Sequence, residues 1–132
     1  MATFSLLAIG FAANWWAGWI LLLAGFISGA VIGVSFHRED FWGGYGSFRR
    51  RIVRLGHIAL CALGMLNLLF AFVARPELLT TSIASVCFIV GGCAMPLVCF
   101  LSGWREGFRR LFPIPVIALV LAVVFTLFGG PS

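Results

Sequence analysis

Two histidines, four cysteines and nine arginines carry most of the reactive chemistry open to this 132-residue chain. The densest constellation is His57, Cys61, Gly64 and Asn67. At 100° per residue the first three share an arc of about 60°, and Asn67 lies about 80° from His57, so one helix would carry a single polar-and-small side. Inside a membrane span such groups need partners, and an ionisable one is a functional candidate by default. His57 therefore has two readings, a histidine satisfied within a bundle or a ligand and proton-handling group.

His37 offers a second imidazole. The pair suggests a haem clasp, and His37, Asp40, His57 and Cys61 suggest a transition-metal set. Against both, the expected depths of the two histidines differ by about 5–8 Å, and the spacing fits no recognised ligand motif. Cys93, Met95 and Cys99 are soft enough for Cu(I), yet the three positions do not share a helix face. Pro96 cannot donate to the carbonyl of Gly92, which predicts a helix break from Gly92 to Pro96. No Ser/His/Asp set, P-loop, HExxH or dinucleotide fingerprint is present, so an enzyme is not expected. The absence of a carboxylate from every apolar block argues against proton-coupled antiport through a buried acid.

The elements that position these residues are dictated by hydropathy. The chain is 62% hydrophobic and 10% charged, with mean hydropathy +1.12, and a soluble domain of this size would lack a polar exterior. The apolar residues run in blocks rather than at amphipathic spacing, so most helix faces meet lipid. About 20 residues span the hydrocarbon. The blocks predict an all-α integral membrane protein, a single domain of four transmembrane helices at about 16–36, 52–74, 79–101 and 113–128. Trp15, Trp16 and Trp19, with Asn14 beside them, have the composition of an interfacial belt, so residues 3–13 are expected as a short helix on the membrane surface, with one long tilted helix as the alternative. No basic region precedes the first block, so a cleaved signal peptide is not expected. All four cysteines fall within spans, which suits buried apolar residues and not a disulfide framework.

Arginines set the expected orientation. Arg38, Arg49, Arg50, Arg51 and Arg54 belong to the first loop and Arg105, Arg109 and Arg110 to the second, against Arg75 alone in the turn Arg75-Pro76-Glu77 on the other side. Both charged loops are then cytoplasmic and both termini outside. Arg38, Glu39, Asp40 and Arg49 to Arg51 are expected as a surface salt-bridge cluster on anionic headgroups. No basic face exists beyond the membrane edges, which excludes nucleic acid as a partner. Trp104-Arg105-Glu106-Gly107-Phe108-Arg109-Arg110 echoes His37-Arg38-Glu39-Asp40-Phe41 followed by Phe48-Arg49-Arg50. The echo suggests two parallel-repeat hairpins, or simply the recurrence of arginines and aromatics at membrane edges.

Gly25, Gly29 and Gly33 recur every four residues and predict a smooth packing stripe, within the bundle or in a homo-oligomer, with Gly64 as a small position on span 2. The same stripe would admit a flat ligand such as quinone or haem. Three functional readings follow. The first is a non-enzymatic subunit or scaffold of a membrane complex that docks a partner through its aromatic and arginine loops. The second is a redox subunit holding haem, quinone or metal at His57. The third is a small transporter or channel with its site at Gly92–Pro96.

Overall fold

The computed structural model describes residues 2–73 and 79–130, with backbone alone for residues 2–11. Four helices make up the fold: α1 (Ala2–Phe36), α2 (Phe48–Val73), α3 (Leu79–Trp104) and α4 (Pro113–Gly129). Each is long and apolar enough to cross a membrane, which makes this a membrane protein built as a four-helix bundle. The turn expected at Arg75-Pro76-Glu77 lies outside the described residues.

Local chemistry explains the helix ends. Ser47 caps α2, its hydroxyl accepting from the Arg50 amide at 3.3 Å, the N-cap to N3 bond that satisfies an orphan donor. The chain reaches it through Gly43 (φ 83°) and Gly44 (φ 84°), which occupy a region that glycine enters without a side-chain penalty. Pro113 and Pro115 sit at the start of α4, where a missing amide proton removes no helical bond.

In place of the separate surface segment expected at 3–13, α1 runs unbroken for 35 residues, about 52 Å at 1.5 Å per residue. Asn14, beside the tryptophans of the expected interfacial belt, is 0% exposed and turned into the bundle. The tryptophans remain on the outer face of the helix, Trp16 61% exposed. Nor is α3 broken: it passes through Pro96 as one helix from Leu79 to Trp104, as apolar spans tolerate when their neighbours cover the backbone.

Packing is sequential. α2 lies against α1, α3 against α2, and α4 against α3, while α1 also touches α3. So α1, α2 and α3 form a three-helix core, and α4 packs chiefly on α3, its Ala122 in one buried cluster with Phe88 of α3 and Phe70 of α2. Adjacent glycines let α3 serve both sides. A Cβ on Gly91 would lie 2.5 Å from Leu119 of α4, and one on Gly92 would lie 2.9 Å from Asn67 of α2 and 3.2 Å from Leu21 of α1.

The α1–α2 seam is similarly close. A Cβ on Gly18 would stand 2.9 Å from the Gly64 carbonyl, one on Gly25 would stand 2.6 Å from Cys61 Sγ, and one on Gly29 would stand 2.7 Å from His57 Cε1. Gly33, expected in this stripe, has nothing within 4 Å. Helical drift is the reason. Steps of seven and four residues keep Gly18, Gly25 and Gly29 within about 40°, whereas a further step of four carries Gly33 another 40° off the seam.

Candidate functional site

Two heptad-spaced stripes on α2 organise the polar residues. Arg50, His57 and Gly64 lie seven apart and face α1. Val53, Leu60 and Asn67, also seven apart, face the space between α1 and α3.

At the end of the second stripe, Asn14 Nδ2 donates to Asn67 Oδ1 at 2.8 Å, and Ser85 Oγ donates to Asn14 Oδ1. Asn67 Nδ2 donates to the carbonyls of Leu63 at 2.9 Å and Phe88 at 3.3 Å. Asn14 and Asn67 are 0% exposed and Ser85 is 6% exposed. Each of the three core helices thus contributes one member to a satisfied buried cluster, which pins their mutual register. Asn67 was a ligand candidate from sequence; here it is a cross-brace. The missing partners, Asn14 and Ser85, belong to no motif, and only the need of a buried amide for partners points toward them.

His57 joins α2 to α1. Its Nδ1 lies 2.9 Å from the Gly25 carbonyl, which also accepts from Ser28 Oγ at 2.9 Å, and Ser28 Oγ stands 3.2 Å from the same nitrogen. A carbonyl only accepts, so this bond places the proton on Nδ1 and leaves Nε2 as the acceptor. The ring occupies the space that Gly29 leaves open, and Cys61 fills the one at Gly25. His37 is exposed in the turn after α1 and is not hydrogen-bonded to His57. Among the described residues, no three His, Cys, Asp or Glu side chains stand close enough to hold a metal ion. Cys93 is exposed whereas Cys99 is buried, its Cβ lying 3.0 Å from where a Cβ on Gly56 would be.

The first charged loop is organised by Arg50, only 2% exposed. Its Nε donates to the Phe41 carbonyl at 2.6 Å, and its Nη2 to the carbonyls of Glu39 at 3.1 Å and of Arg38. The guanidinium also lies 4.9 Å from the Phe36 ring centroid. A cation here satisfies carbonyls that follow the α1 C-terminus, where the helix dipole is negative. The expected salt-bridge cluster of Arg38, Glu39, Asp40, Arg49, Arg50 and Arg51 does not form: among the described residues these arginines make no carboxylate pair, and Arg50 bonds backbone carbonyls. Arg54 stacks 4.4 Å from the Tyr45 ring and Arg109 lies 4.8 Å from the Phe48 ring. The loops differ in this respect. Arg50 is buried, whereas Arg110, its counterpart in the sequence echo, is exposed, as are Arg105 and Glu106.

Between α1 and α3 lies an open groove of about 1210 Å³. Leu21, Ala24, Ile27 and Val31 of α1 form one wall, Cys93, Pro96, Leu97 and Phe100 of α3 the other, and Val53 and Leu60 of α2 the floor. It closes at Leu21 and Gly92, where α1 and α3 meet. It opens toward the charged loops, where Arg49, Arg105, Trp42 and Trp104 line the mouth. Gly92 and Pro96, expected to break a helix, mark the closed end and one wall of this groove instead.

The chain matches no family model, no curated protein and no solved structure. Its functional reading rests on the geometry above.

Proposed function

We propose that this protein is a non-enzymatic subunit or scaffold of a membrane complex. The observation that supports it best is where the buried polar chemistry goes. Asn14, Asn67, Ser85, His57 and Arg50 are all bonded across helix boundaries or to the loop between helices, so their hydrogen bonds serve the architecture. The three-helix core then supports α4, whose Val116, Val120 and Leu127 are exposed and which packs chiefly on α3. Close helix packing replaces hydrophobic drive in lipid, so an outlying helix of this kind suits a partner subunit or a second copy of the chain. In this reading the arginine loops face the cytoplasm, following the arginine bias.

The test is purification in native-membrane particles with a photocrosslinker at position 120. A second polypeptide, or a second copy, at fixed stoichiometry, crosslinked from position 120 and released by Val120→Trp, is the expected result. A monomer that forms no crosslink from that position would overturn the proposal. A redox subunit is the second reading, favoured by the Nδ1 bond of His57, which fixes the ring and leaves Nε2 as an acceptor. A Soret band in the purified protein that disappears on His57→Ala would move the assignment there.

A further inference from the structure

We propose that the groove between α1 and α3 is a binding site for one anionic phospholipid, drawn from the leaflet on the side of the charged loops. The inference is independent of the subunit reading and rests on the groove's length, its mouth and its charge.

Length comes first. The α3 wall runs from Cys93 to the mouth at Arg105 and the α1 wall from Leu21 to Ile32, about 17–18 Å each at 1.5 Å per residue. The hydrocarbon core is about 30 Å thick, so one leaflet is about 15 Å deep. A partner helix crossing the membrane would need a groove along the whole bundle. This one stops where Leu21 approaches Gly92, with the Asn14–Asn67–Ser85 cluster beyond it. A lipid chain entering from the charged side ends at that depth.

The mouth has the chemistry of a headgroup site. Arg49 lines it from the first turn of α2 and Arg105 from the segment after α3, both exposed, and neither pairs with a carboxylate among the described residues. Two unneutralised guanidinium groups beside an apolar slot complement a phosphate joined to acyl chains. Trp42 and Trp104 flank them, the residue type that settles at headgroup level. Trp42 is held at φ 53° and ψ 38°, the left-handed region that a bulky side chain seldom enters, and its ring stacks on Phe41 at 4.8 Å. Strain of that kind persists where surrounding contacts hold it, and such places cluster at ligand clamps. Beneath the mouth both walls and the floor are almost wholly apolar.

Native mass spectrometry of the full chain, released from nanodiscs containing equal phosphatidylglycerol and phosphatidylcholine, tests this. The wild type should retain one phosphatidylglycerol with a preference of about thirtyfold, the size expected from two arginines acting on an anionic headgroup. Arg49→Gln with Arg105→Gln should abolish the preference, and Arg51→Gln with Arg110→Gln should leave most of it. Ala24→Trp, filling the groove, should remove the retained lipid while the circular dichroism spectrum stays helical. Equal retention of the two lipids by the wild type would mean annular lipid only and would overturn the proposal. So would a lipid unaffected by Ala24→Trp, or a dimer in place of the lipid adduct. None of these outcomes bears on position 120, so this inference and the subunit reading fail separately.

Discussion

Gly29→Ala and Gly33→Ala add the same methyl group four residues apart on one helix, and the structure separates their consequences. At Gly29 the new Cβ would stand 2.7 Å from His57 Cε1 and 3.3 Å from Nε2; at Gly33 nothing lies within 4 Å. Carbon atoms settle about 3.5–4.0 Å apart, so Gly29→Ala must open the contact by about 1 Å. Either α1 and α2 separate, or the imidazole swings away from the Gly25 carbonyl. Overpacking of a filled interface costs about 1–3 kcal/mol, and losing an interhelical hydrogen bond in a membrane adds about 0.6 kcal/mol. Both variants gain the same backbone preference of alanine over glycine, so subtraction removes it. Gly29→Ala should therefore be less stable than Gly33→Ala by about 1–3 kcal/mol.

Reversible unfolding in mixed detergent micelles, followed by circular dichroism, measures the difference. The double variant Gly29→Ala with His57→Ala removes the obstructing ring and should recover most of the steric loss. Equal stability of the two single variants would refute the argument. So would a double variant showing only the sum of its parts, because the clash would then lie elsewhere.

The same geometry sets other expectations. A double-mutant cycle on Asn14→Leu and Asn67→Leu should give a coupling of about 0.6 kcal/mol, and no more than about 1.7, read from the same unfolding curves. Arg50→Gln should loosen the first charged loop and speed proteolysis within residues 38–47, whereas Arg51→Gln, altering an exposed side chain, should not; limited proteolysis with peptide mapping distinguishes them. Gly46→Cys, on a site with nothing near its Cβ position, should be labelled by an impermeant thiol reagent only from the cytoplasmic side, if the arginine bias sets the topology. Labelling from the outer face alone would reverse the orientation.

How far these features were legible in the sequence depends on whether a residue's environment is lipid or another helix. Span existence answers to lipid, which demands only length and apolarity, so the helix bounds of α2, α3 and α4 fall close to those read from hydropathy. Which side of a helix turns inward was also partly written in the spacing. His57, Cys61 and Gly64 share a face because the α1 contact repeats about every seven residues on α2, and that register extends back to Arg50. Nothing in Arg49-Arg50-Arg51 except this register marks the middle arginine as the buried one. The partners of Asn14 were not legible because composition is local while Asn67 and Ser85 lie 53 and 71 residues away. The groove was least visible of all. It exists because α1 and α3 meet at Leu21 and Gly92 and diverge toward Arg49 and Arg105. That divergence is set by three seams acting together, and Val53 and Leu60 become its floor only once all three are in place.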